Sequence, residues 1–306
     1  MLKGHLKHRN PWAKCFVWFA IMLLLTALVM TIWTILPIDH QSTASLKWFQ
    51  FVQTLATFFI PPFFLAYLVS DQPSDWLQMN RIPKWPTWMT AILLMLAALP
   101  AINLLSDWNS HLTLPQALQP LEELMRQQED AAMALTERFL QGKGAGLLLI
   151  NIVLMALLPA MAEELTFRGT LQRLAAGTAA NSGTKLTARQ HVAIWGIAIL
   201  FSAIHFQFFG FVPRMLLGAL FGYTLCWTGS LWIPIAMHFT NNAATVIAYW
   251  VIYNNNLNPD AVEAFGTGDT MWIGLTSFAV AGIGIYFLCR LSRTISNASS
   301  RMSWGN

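Results

Sequence analysis

Long apolar runs recur along this chain, and they decide what it can fold into. A segment that crosses a bilayer needs about 20 mostly apolar residues, because hydrocarbon offers no partner to a bare backbone N–H or C=O. The sequence supplies eight such runs, at about 15–36, 48–69, 87–105, 146–164, 190–207, 213–229, 232–253 and 271–289. The expected fold is therefore all-α, a polytopic integral membrane bundle of about eight transmembrane helices. Composition points the same way: 10 % of the 306 residues are charged and 56 % hydrophobic, against about 25 % charged in soluble domains. Twenty Phe and fourteen Trp exclude a disordered chain.

Pro61-Pro62 and Pro100 interrupt the second and third runs; neighbouring helices can satisfy the carbonyls that proline leaves free. The first run follows Lys3, Lys7, Arg9 and Lys14, like a signal peptide, but is longer than a signal core and reads as a retained anchor. With the N-terminus inside, 13 Lys and Arg fall on inner segments, from Lys3 to Arg301, and 5 on outer ones: Lys47, Arg126, Arg138, Lys143 and Arg214. That asymmetry predicts both termini in the cytoplasm of a bacterial-type plasma membrane. The net charge of +4 is spread over the connections, so it does not indicate a nucleic-acid partner. Cys15, Cys226 and Cys289 lie in apolar runs without metal or disulfide spacing.

Residues 106–145 are polar, with Leu118, Leu121, Met125, Ala132, Leu135 and Phe139 near helical spacing. They predict an amphipathic helix on the outer face, lying on the membrane or capping the bundle. The chain then divides into 1–145 (three spans and this outer segment), a core at 146–253, and a last span with a basic tail at 254–306. No internal repeat of the inverted-transporter kind is present.

With charge so scarce, ionisable groups at membrane depth are the informative ones. Glu163 and Glu164 close the fourth run and Arg168 follows one turn later; His205 ends the fifth run, and His238 lies inside the seventh with Asn242 one turn on. Glu164/Arg168, Phe201/His205 and His238/Asn242 are each i, i+4, so each pair projects from one helix face. Three helices could point a carboxylate, two imidazoles and an amide into one polar cavity. Taken singly, each has a plain reading: a structural ion pair at the interface, or helix-bridging hydrogen bonds.

Glu163-Glu164-Leu-Thr-Phe-Arg168 matches EExxxR, Phe201-Ser-Ala-Ile-His205 matches FxxxH, and His238-Phe-Thr-Asn-Asn242 matches HxxxN. In that order, on successive hydrophobic segments, the chain resembles the CPBP family of CAAX proteases and bacteriocin-processing enzymes (Abi or Rce1-like intramembrane proteases). The resemblance covers about 146–253. Glu122-Glu123-Leu-Met-Arg126 is a near miss with the wrong spacing, and Gly266-Thr-Gly-Asp269 matches GxGD only as an outer turn.

The resemblance implies an intramembrane endopeptidase acting on a membrane-associated protein or peptide. Glu163 with His205 would activate water, His238 and Asn242 would donate to the oxyanion, Glu164 and Arg168 would hold the site, and Phe201 would pack near His205. No cofactor is certain; zinc on Glu163, His205 and His238 is the alternative to a metal-free glutamate-dependent site. The rival reading is a non-catalytic immunity or scaffold protein on the same fold. A proton-coupled transporter, a third class, predicts inverted repeats. One geometric tension stands: a straight fifth span would carry His205 about 20 Å deeper than Glu163 at 1.5 Å per residue. Either the fourth helix continues past Arg168, or the fifth span tilts or starts later.

Overall fold

A computed structural model of the chain describes residues 2–177 and 185–302, with side chains through Thr294, so Arg301 of the basic tail lies outside the described side chains. The described residues are helical throughout, without strands. The principal helices are α1 (Pro11–Ile35), α2 (Thr43–Val69), α3 (Trp85–Ser110), α4 (Gln119–Leu140), α5 (Ala145–Ala176), α6 (Ala188–Ala203), α7 (Phe211–Thr228), α8 (Trp232–Asn254) and α9 (Met271–Met302).

A helix stands at each of the eight expected spans, but only six among the described residues are long and apolar enough to cross a membrane. Helix α6, at 16 residues, is too short. Helix α8 is long enough but is diluted by His238, Thr240, Asn241, Asn242 and Thr245. Helix α6 packs one face on α7 and leaves Val192 and Ile199 open on the other, whereas α8 packs against α3, α5 and α7. Helix α1 is the opposite case: Trp18 is its one buried residue, and Trp12, Phe16 and Leu24 are open, as a lipid-facing surface requires.

Proline shapes the bundle. Wide π turns at Leu55–Phe59 and Ile152–Leu157 precede Pro61-Pro62 in α2 and Pro159 in α5, where the normal i→i−4 ladder cannot close. The carbonyl of Phe58, deprived of a donor at Pro62, accepts the Thr166 hydroxyl from α5 at 2.8 Å. Beside Pro100 the Ser277 hydroxyl of α9 donates to Ala97 O at 2.5 Å and accepts from Ala101 N at 3.1 Å. At both sites a partner helix bonds backbone groups of the turn that proline distorts.

The depth tension has a structural answer. Helix α5 does not end at Glu164 but runs on to Ala176, which sinks Glu163 about 20 Å from its C-terminal end. Helix α6 stops at Ala203, and His205 lies in the loop beyond it.

Helix α7 approaches α5 and α6 through Gly218 and Gly222, one turn apart. Arg168 Nη2 donates to Gly218 O at 2.9 Å, and Gln172 Nε2 donates to Gly222 O at 3.1 Å. A Cβ on Gly218 would meet the Ala198 Cα at 3.3 Å and the Arg168 Nη2 at 3.2 Å; on Gly222 it would meet Gln172 Oε1 at 2.7 Å. Small residues at this spacing let backbones close together in lipid.

Helix α4 is amphipathic but does not bury the whole expected stripe. Phe139 and Leu140 are buried, whereas Leu118, Leu121 and Leu135 remain exposed. Lys47, expected in an outer connection, reaches from α2 to Phe139 O at 2.9 Å and Asn151 Oδ1 at 2.7 Å and ties α4 to α5. At its middle α4 clamps the loop after His205: Glu129 accepts from Phe209 N at 3.2 Å, and the Arg126 guanidinium stacks 4.0 Å over the Phe209 ring. The near-miss motif is a surface ion pair, Glu122–Arg126 at 2.7 Å. Gly266 and Gly268, both at positive φ, form the turn before α9.

Two predictions follow from this packing. Gly218→Leu should lower stability in detergent by about 1–3 kcal/mol through overpacking, whereas Gly282→Ala, with open space at its Cβ, should leave the melting temperature unchanged or raise it slightly. Burial raises the Glu129 pKa, against the opposing Phe209 N–H. Folding therefore takes up a proton just above the ordinary carboxylate range, and stability falls as pH rises through that window. Glu129→Gln should flatten that slope in pH-dependent unfolding curves.

Candidate active site

The site is assembled from α5, the α6–α7 loop and α8. Glu164 and Arg168 are one turn apart on α5 and fully buried, with Arg168 Nη1 donating to Glu164 Oε1 at 2.7 Å. A charge removed from water at both ends must be paired and hydrogen-bonded to be tolerated. The guanidinium is met from three sides, by Glu164, the Gly218 carbonyl and the Phe201 ring 4.5 Å beneath it, while its Nε and Glu164 Oε2 are buried without a hydrogen-bond partner among the described residues.

The same Glu164 oxygen accepts from His238 Nδ1 at 2.9 Å. The ion pair is thus also the orienting partner of an imidazole from α8. Phe221 stacks on that ring at 5.4 Å and 22°, and Phe201 meets it edge-on at 6.1 Å. Held on one edge and packed on its faces, His238 presents Nε2 to Glu163 Oε2 at 3.9 Å.

His205 approaches from the other side. Its Nδ1 lies 2.7 Å from the Phe201 carbonyl. A carbonyl only accepts, so Nδ1 carries the proton and Nε2 of the neutral ring holds the lone pair. Nε2 stands 4.0 Å from Glu163 Oε2. The next residue, Phe206, has φ +53, a strained conformation for a bulky side chain that turns the chain out of α6. Asn242, one turn beyond His238, has its Oδ1 bound by Asn241 Nδ2 at 3.2 Å, which leaves the amide NH2 as a donor.

Glu163, His205, His238 and Asn242 line one cavity of about 240 Å³ with Phe201, Asn241, Ser106 and Arg214. Glu163 and His205 keep partial access, with side chains 17 % and 27 % exposed, while Glu164 and Arg168 have none. Chemistry can therefore reach the first pair and not the second. Three larger hollows, apolar ones between α2 and α5 and between α1 and α2 and a polar one beside Asp71, contain none of these residues.

Residues 145–244 match the family model described as type II CAAX prenyl endopeptidase Rce1-like. Over this third of the chain the core is similar to the Rce1-like domains of the CPBP/CAAX proteases. It holds α5, the α6–α7 loop and the first half of α8, and so every residue of the three motifs. An uncharacterized protein of Bacillus subtilis (strain 168), YpbD, is 30 % identical over 97 residues, which is 30 % of this chain and 42 % of YpbD. The match thus spans less than half of that curated relative. No solved structure matches. The family is one of proteases, and the chain is a multi-pass membrane protein.

The Rce1-like core does not fit a metal as its donors stand. Zinc bonds of about 2.0 Å in a tetrahedral site bring ligand atoms to about 3.4 Å from one another; Glu163 Oε2 is 3.9 and 4.0 Å from the two imidazoles. No group of three or more His, Cys, Asp or Glu among the described residues is arranged to hold an ion. Sequence reasoning also missed three residues of the core. Phe221 and Gly218 gave no signal beyond apolar helix. Arg214 gave one: a cation inside the apolar run 213–229, which the charge count assigned to an outer connection.

Removing one member of the buried pair strands the other. Glu164→Gln or Arg168→Met alone should cost about 3–5 kcal/mol in unfolding experiments. The double variant should cost less than the sum of the two, measured as a double-mutant cycle.

Proposed function

We propose that the chain is an intramembrane endopeptidase that hydrolyses a peptide bond of a membrane-associated protein or peptide with water activated by Glu163 and His205. The observation that carries this reading is the approach of His205 Nε2 and His238 Nε2 to one Glu163 oxygen, at 4.0 and 3.9 Å, inside a partly accessible cavity. Those spans exceed a hydrogen bond and suit a bridging water.

The steps follow from the tautomers. Water donates to Glu163 or to the His205 lone pair as its oxygen attacks the carbonyl carbon, and the proton remains on the Glu163/His205 pair. Asn242 donates to the oxyanion in every protonation state. His238, with Nδ1 committed to Glu164, donates from Nε2 only when its ring carries two protons. Collapse of the tetrahedral adduct breaks the C–N bond, and Glu163 returns the proton to the leaving amine. The closed Glu164–Arg168 pair fixes His238 and takes no proton. Family and motif order support an inner-membrane setting with both termini cytoplasmic, as the Lys/Arg asymmetry suggests.

Proteolysis of a candidate membrane substrate by purified wild type, Glu163→Gln, His205→Ala and Asn242→Ala tests the reading. Glu163→Gln and His205→Ala should lower kcat by about 10²–10⁴, and Asn242→Ala by about 10²–10³, each with a wild-type melting curve. Exhaustive chelation should leave cleavage intact. Equal cleavage by all four proteins overturns the assignment, and stoichiometric zinc with full loss on chelation overturns its metal-free part.

A further inference from the structure

Arg214 lines the same cavity as Glu163, His205, His238 and Asn242, and it is the one Lys or Arg to do so among the described residues. It stands in the first turn of α7, just after Pro213. Its guanidinium is braced by the loop that follows His205: Nη1 donates to Gln207 O at 3.1 Å and Nη2 to Gln207 Oε1 at 2.9 Å. Gly210 completes the seat, since a Cβ there would lie 3.2 Å from Nη2.

What this cation lacks is an acid. Among the described residues no carboxylate lies within 4.0 Å of it, although Glu163 and Glu129 are near enough to act on it through space. Both Gln207 contacts are neutral acceptors and use two of its five N–H donors. Arg168, by contrast, is closed on its own carboxylate. A fixed guanidinium with spare donors, facing a cavity and lacking an ion-pair partner, is suited to bind an anion delivered from outside, and a carboxylate matches its fork.

We propose that Arg214 is a specificity-determining residue that binds a carboxylate of the substrate close to the scissile bond. The inference rests on the peptidase reading above and deepens it. A rounded cavity of about 240 Å³ is about 8 Å across, the length of about two residues of extended chain. The carboxylate therefore lies within about two residues of the bond cleaved. It is either the free C-terminus of the substrate or an Asp or Glu side chain, two sources of one chemistry.

The test is a peptide library carried on a single synthetic transmembrane helix in mixed micelles, made once with free C-termini and once with C-terminal amides, and read by mass spectrometry. Wild type should favour a carboxylate within two residues of the cut over its amide counterpart by about tenfold or more in kcat/KM. Loss of that preference on C-terminal amidation identifies the terminus; enrichment of Asp and Glu over Asn and Gln in both libraries identifies a side chain. Arg214→Gln should collapse the ratio toward one, and Arg214→Lys, a point charge without the fork, should retain part of it. A wild-type ratio of one overturns the proposal even if Arg214→Gln fails to fold. An unchanged ratio in a folded Arg214→Gln also overturns it and leaves the guanidinium as a brace for Gln207. Absence of any cleavage by wild type overturns the peptidase reading and this inference with it.

Discussion

One oxygen of Glu164 holds the site together. It accepts from Arg168 at 2.7 Å and from His238 Nδ1 at 2.9 Å, with all three groups out of contact with solvent or nearly so. In a low-dielectric interior an unpaired carboxylate or guanidinium is expensive. The arrangement is therefore tolerated only while α5, α7 and α8 are docked: α5 supplies the pair, α7 the Gly218 carbonyl, and α8 the imidazole. A bridge of this kind is weak evidence for stability as such, but it fixes where the helices sit.

The rest of the bundle accommodates that junction. Glycine at 218 and 222 brings α7 close enough for two side chains of α5 to reach its carbonyls. A π stretch at Leu165–Gln172 widens α5 through Arg168 itself, and such bulges frequently mark functional sites. Phe201 works on three partners at once, lying under the Arg168 guanidinium and edge-on to both histidines. Helix α4 holds the far side through Phe209, four residues from His205. The junction positions His238, and the loop positions His205.

Much of this was legible in the sequence because lipid makes charge scarce. Apolar length located the helices, and among the few ionisable groups left in those runs or at their ends were Glu163, Glu164, Arg168, His205 and His238, which the structure brings to one place. Other features left no local trace. That Glu164 serves His238 as well as Arg168 depends on the approach of α8, which no spacing encodes. The sequence left the end of α5 open because polarity after Glu163 looks like an interface, whereas those polar side chains are buried, Thr166 against α2 and Arg168 and Gln172 against α7. Helix α8 failed the hydropathy test for the same reason that it matters: its polar residues line the cavity. Arg214 was assigned to a connection because a lone cation near a helix start usually belongs to one.

The account turns on Glu163 acting as a base toward water rather than as a nucleophile toward the peptide. Rapid-quench single turnover with hydroxylamine present, read by mass spectrometry, separates the two. Direct attack by activated water gives only the free carboxylate product and an enzyme of unchanged mass. A substrate hydroxamate, or an acyl adduct on Glu163, would mean an acyl-enzyme and contradict the mechanism.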